Sequence, residues 1–159
     1  MNVHNEISEW MRLAEMDLST AHHMFETFRP KPLEIVCFHS QQSAEKMLKC
    51  FLVSKEIEPP KTHDMQVLIE MCAEINSEFD DIYEEATTLT NYAVRLRYPV
   101  ELGIVERDAE IAIKNADRIM LFVKNKLPED AASETMLISE QSLVVDWDTP
   151  EEDDAWADL

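Results

Sequence analysis

The sequence contains one glycine, Gly103, in 159 residues. Sheets need turns and turns draw on glycine, so a chain this poor in it reads as helical. Cysteine is scarce too. Cys37, Cys50 and Cys72 lie among apolar residues and form no CxxC pair, which makes them small core residues rather than disulfides or metal ligands. No apolar run approaches the ~20 residues that a membrane span needs. The first residues, MNVHNEISEW, are polar and acidic and lack the plan of a signal peptide, so a cytoplasmic protein is expected. Positive charge is missing from one whole region. Of the 33 Asp and Glu, eleven fall in residues 129–159, which hold no Lys or Arg. The first 128 residues still carry 22 acids against all 14 bases, which excludes general affinity for nucleic acid but leaves room for a local basic patch.

What is present is helical periodicity. The stretch Glu34 to Ser54, EIVCFHSQQSAEKMLKCFLVS, places Cys37, Gln41, Ala44, Leu48 and Phe51 on one stripe. Phe38, Met47 and Leu52 widen it, which predicts a helix in the middle of a bundle. His39, Gln42, Ser43, Lys46 and Lys49 form its polar edge. Before it, Ile7, Trp10, Ala14, Leu18, Ala21, Phe25 and Phe28 predict a helix over about 6–28, ended by Arg29-Pro30-Lys31-Pro32. After it, Thr62 is the expected N-cap of a third helix with Met65, Leu68, Ile69, Cys72 and Ile75 inside. Ser77 is the expected cap of a fourth, over about 79–95, burying Phe79, Ile82, Ala86, Leu89 and Ala93. Gly103 sits in the next loop, where a positive φ is expected. A fifth helix over about 106–126 buries Ala109, Ile113, Ala116, Ile119, Met120 and Val123.

Short connectors between such helices predict an all-α, up-and-down antiparallel bundle over residues 1–128. Residues 129–159 have no sustained apolar period and are expected to be disordered alone. Leu143, Val144, Trp147, Trp156 and Leu159 are apolar anchors in that acidic segment. Trp147, Trp156 and Leu159 therefore read as contacts for this domain or for another chain.

Three separated elements, CFHSQQSAEKMLKCFLV, then PPKTHDMQVL, then NYAVRLRYP, resemble the HEPN domain over about 6–127. The resemblance implies a bundle of four main helices plus a shorter one. It also implies homodimers and a partner, a minimal nucleotidyltransferase-type protein, within toxin–antitoxin or defence modules. Many members act as metal-independent RNA endonucleases, using an Arg and a His separated by four to six residues near the end of the fourth helix. Arg95 and Arg97 match the arginine. Val100, Glu101 and Leu102 stand at the histidine's offsets after Arg95, and Leu102, Gly103 and Ile104 after Arg97. The five histidines, at 4, 22, 23, 39 and 63, all lie upstream. The last residues, SEQSLVVDWDTPEEDDAWADL, resemble the ends of short bacterial antitoxin-like proteins.

The site candidates follow. Arg95, Arg97 and Tyr98 stand where a helix meets a loop; Arg can grip a phosphate through two hydrogen bonds, and Tyr can stack on a base. Glu101 is the titratable residue at a suitable offset from Arg95, making Arg95, Arg97 and Glu101 the catalytic candidates. His39 and Lys46 either line a groove for RNA or a nucleotide, or position neighbouring helices. His63 reads as a first-turn surface residue. Adjacent His22 and His23 point apart, so no metal site is expected, and no cofactor. Two functions stay open: a regulatory binding module that pairs with a nucleotidyltransferase-type chain, or an RNA endonuclease working without the usual histidine.

Overall fold

The computed structural model describes residues 2–95 and 103–129. Five α-helices are found there: α1 (Val3–Thr27), α2 (Leu33–Ser54), α3 (Met65–Ile75), α4 (Tyr83–Arg95) and α5 (Glu106–Lys124). A 3-10 turn, Ser77–Ile82, leads into α4. The fold is an all-α, up-and-down bundle, as the periodicity predicts.

α2 is the axis of the bundle, and α1, α3, α4 and α5 all pack on it. Its apolar side chains from Val36 to Val53, Phe38 excepted, are buried on several sides, which is the wide coverage its sequence calls for. The alternation of direction is visible in the cross-contacts. The Cys50 thiol near the end of α2 donates to the Ile7 carbonyl near the start of α1, and the Cys72 thiol to the Leu48 carbonyl. Phe51, Phe79 and Phe122 form one column, the first pair tilted and the second edge-to-face, with centroids 4.3 and 5.1 Å apart. At the other end Lys31 pairs with Glu106, and the Tyr92 hydroxyl donates to the Asp108 carbonyl at 3.4 Å.

Local chemistry sets the boundaries. Asn2 caps α1, and α1 stops just before Arg29-Pro30. α2 ends in a Schellman arrangement: the Glu56 N–H donates to the Val53 carbonyl and the Ile57 N–H to Leu52. That geometry requires a left-handed residue, and Glu56 supplies it at φ 58. Gly103 has the expected positive φ, also 58.

Several details depart from the sequence reading. The N-cap of α3 is Asp64, whose carboxylate accepts from the Gln66 N–H at 2.9 Å; Thr62 instead accepts from the Asp64 N–H. Asn76, not Ser77, caps the turn before α4. Phe38, Phe28 and Ile75 are exposed: among the described residues no helix covers Phe38, α1 has already ended at Thr27, and Ile75 is the last residue of α3. Lys49 and Ser43, expected on a polar edge, are buried. Among the described residues no helix is long and apolar enough to cross a membrane.

Candidate functional site

The polar groups of α2 form two clusters joined by Gln42. In the first, Asp17 of α1 holds two residues of α2. Its carboxylate accepts from His39 Nδ1 at 2.8 Å and from Lys46 Nζ at 2.5 Å. The sequence pattern brings His39 and Lys46 to one face seven residues apart, and the antiparallel crossing of α1 brings Asp17 between them.

The second cluster is centred on Glu45, which is 4% exposed. Lys49 Nζ donates to it at 2.7 Å and Gln41 Nε2 at 2.8 Å. Both come from α2 itself, one turn either side. His63 Nδ1, from the connector before α3, lies 3.1 Å from each carboxylate oxygen. Burial pushes the Glu45 carboxyl up, but the hydrogen bonds from Lys49, Gln41 and His63 outweigh it and hold the carboxyl below its usual range. Glu45 is therefore ionised at neutral pH, and an ionised carboxylate only accepts. His63 Nδ1 must then carry the proton and donate.

Gln42 links the two. Its Nε2 donates to Gln41 Oε1 at 2.8 Å, and its Oε1 accepts from Lys46 Nζ at 3.3 Å. A continuous hydrogen-bonded chain thus runs from α1 across α2 to the connector before α3. Its formal charges, Asp17 and Glu45 against Lys46 and Lys49, cancel.

Chemically the chain holds two imidazoles by Nδ1. The His39 side chain is 25% exposed and that of His63 is 56% exposed. A third histidine, His22, meets Asp117 of α5 at 2.8 Å through Nε2. Among the described residues no group of three or more His, Cys, Asp or Glu could hold a metal ion. The three thiols are inert: burial pushes Cys37, Cys50 and Cys72 up to about 12.

Of the sequence candidates, His39 and Lys46 are brought together on Asp17. Arg95 closes α4, a helix that packs on α2 and α5, but its side chain lies outside the described residues. So do Arg97, Tyr98 and Glu101, and the tail anchors Trp147, Trp156 and Leu159. Sequence reasoning missed Asp17 and Glu45. Glu45 had a signal, since Gln41, Glu45 and Lys49 repeat every four residues on a helix that is apolar elsewhere. Asp17 had none.

The family model of the HEPN domain matches residues 7–126. The chain belongs to the HEPN domain family. Two solved structures resemble this HEPN chain. ST0689, an archaeal HEPN homologue, is 29% identical with a TM-score of 0.61, over 77% of this chain and 98% of its own. TT1696 from Thermus thermophilus is 22% identical with a TM-score of 0.64, over 77% and 99%, and at that identity it speaks for the fold alone. No curated protein matches. The matched HEPN region spans both clusters and all five helices except the first residues of α1.

Proposed function

We propose that this HEPN chain is a binding and regulatory module of a two-component system, of toxin–antitoxin or defence type. It forms a homodimer and pairs with a minimal nucleotidyltransferase-type protein in the cytoplasm. The observation that carries this reading is that no histidine stands at the offsets after Arg95 or Arg97. Metal-independent RNA cleavage needs one group to take the 2′-OH proton and another to protonate the leaving oxygen. An arginine does neither, since it stays protonated. Arg95, Arg97 and Tyr98 then serve as a contact surface for phosphate or base.

The test is incubation of the purified chain with a mixed RNA pool, beside co-purification with a nucleotidyltransferase-type protein encoded next to it. Intact RNA and a stable complex support the module. Efficient cleavage that is lost in Arg95→Ala or Arg97→Ala overturns it.

A second reading, an RNA endonuclease, is favoured by one feature. His63 is oriented through Nδ1 by a buried carboxylate while its side chain is exposed, which is how general acid–base histidines are commonly held. On that reading wild type cleaves RNA, and His63→Asn removes the cleavage while leaving the fold intact.

A further inference from the structure

The outer face of α5 is the other unusual surface. Arg107, Ile111, Lys114, Arg118 and Leu121 follow one another at alternating spacings of four and three residues, so they form one ridge along the helix. All five are exposed, and Leu121, at 64%, is the most exposed large apolar residue among those described. Arg118 is engaged by Glu85 and the Asp81 carbonyl. Arg107 and Lys114 meet no carboxylate among the described residues. Three of the four acids of α5 are engaged elsewhere. Glu106 pairs with Lys31, Asp108 accepts from the Val105 N–H, and Asp117 meets His22. Glu110 alone flanks the ridge without a partner among the described residues. In a chain of formal charge −19, a ridge whose Arg107 and Lys114 have only Glu110 beside them, and alternate with two exposed aliphatic side chains, calls for an occupant.

We propose that this occupant is the chain's own C-terminal segment, residues 143–159, folding back along α5. The segment is the chemical complement of the ridge. It has seven acids (Asp146, Asp148, Glu151, Glu152, Asp153, Asp154, Asp158), no Lys or Arg, and the apolar residues Leu143, Val144, Trp147, Trp156 and Leu159. Its carboxylates meet Arg107 and Lys114, and its tryptophans cover Ile111 and Leu121. The geometry permits it. From Leu121 back to Arg107 the ridge is about 21 Å long at 1.5 Å per residue. Trp147 is eighteen residues beyond Glu129, an extended reach of roughly 60 Å. Tethering puts the segment at a local concentration on the order of millimolar, so a weak contact suffices. RNA fits the ridge less well, because two free cations on a strongly acidic protein neutralise few phosphates.

The test uses the full chain and a zero-length carbodiimide, which joins a lysine to a carboxylate only where they touch, with the links read by mass spectrometry. Lys114 should link to acids between 146 and 158 about tenfold more than the exposed Lys61 does, as expected for a local site. Equal yields at Lys61 and Lys114 would overturn the proposal. In a mixture of isotope-labelled and unlabelled chains the links should join acids and lysines of one chain. Links between chains would assign the ridge to a second copy's tail instead. Arg107→Glu with Ile111→Ser should reduce the Lys114 links to the Lys61 level while circular dichroism stays unchanged; undiminished links would contradict the assignment. A gel shift of single-stranded RNA that is lost in that variant and unaffected by removing 143–159 would give the ridge to nucleic acid and overturn it as well.

Discussion

Asp17 and Glu45 have the same kinds of partner, one lysine and one histidine Nδ1, yet they stand in different surroundings. The Asp17 side chain is 15% exposed and that of Lys46 21%; the Glu45 side chain is 5% exposed and that of Lys49 10%. Asp17 ties two helices at the rim of the bundle. Glu45 ties α2 to the connector before α3 from a buried position, and burial recruits the extra donor, Gln41. The difference teaches that a buried charge is held by the number of its donors, while a rim charge can rely on water for part of its solvation. What the Glu45 cluster contributes is then chiefly the avoidance of an unpaired buried ion.

The largest predicted effect breaks the buried cluster. Glu45→Gln leaves Lys49 charged and without its anion, and should cost about 3–5 kcal/mol in urea unfolding. Asp17→Asn should cost about 1–2 kcal/mol, since Lys46 and His39 can turn to water. If the two costs are equal, burial is not what separates the clusters.

The buried thiols give an independent reading of the same break. Cys37, Cys50 and Cys72 are shielded and their ionisation is suppressed, so thiol reagents should label them only through opening. A loss of ~3 kcal/mol should speed labelling at limiting opening by about a hundredfold in Glu45→Gln. Labelling of the wild-type chain at the rate of free thiols would contradict the core placement.

Acid should also separate the clusters. Folding lowers the Glu45 carboxyl from its ordinary value of 4.5. Its contribution is therefore fully present above that value and is lost as pH falls from there through the lower folded value. Stability of the wild type should drop over that range, and Glu45→Gln should lose less. A parallel fall in both would mean that other carboxylates carry the acid response.

The smallest effect concerns backbone rather than charge. Glu56 holds a left-handed φ of 58 at the end of α2. Glu56→Gly should stabilise the fold by about 0.5–1 kcal/mol, because a side chain there is strained. It serves as a control next to the connector that carries His63: a shift in melting temperature without a change in the His63–Glu45 contact keeps the two causes apart.

The fold was largely legible. The stripes on α1, α2 and α5 and the single glycine pointed to a bundle, since helical spacing is written within one segment. The site was legible only in part. His39 and Lys46 share a face by spacing alone, but their common partner Asp17 lies 22 and 29 residues away and arrives by packing. Lys49 was expected in solvent because it is charged; its i−4 neighbour Glu45 neutralises it and lets it be covered. Helical spacing places Phe38 at the margin of the buried stripe, and among the described residues no helix covers it. Caps failed by one or two residues where Thr62, Asp64, Asn76 and Ser77 offer rival acceptors.

The most direct test of the contrast is a pair of double-mutant cycles, Glu45→Gln with Lys49→Met and Asp17→Asn with Lys46→Met, each measured by urea unfolding. The coupling should be about 2–3 kcal/mol for the buried pair and under about 1 kcal/mol for the rim pair, with much of the Glu45→Gln loss recovered in its double variant. Equal couplings, or a double variant as unstable as the sum of its singles, would contradict the claim that Glu45 and Lys49 stand together in the core as a mutually neutralising pair.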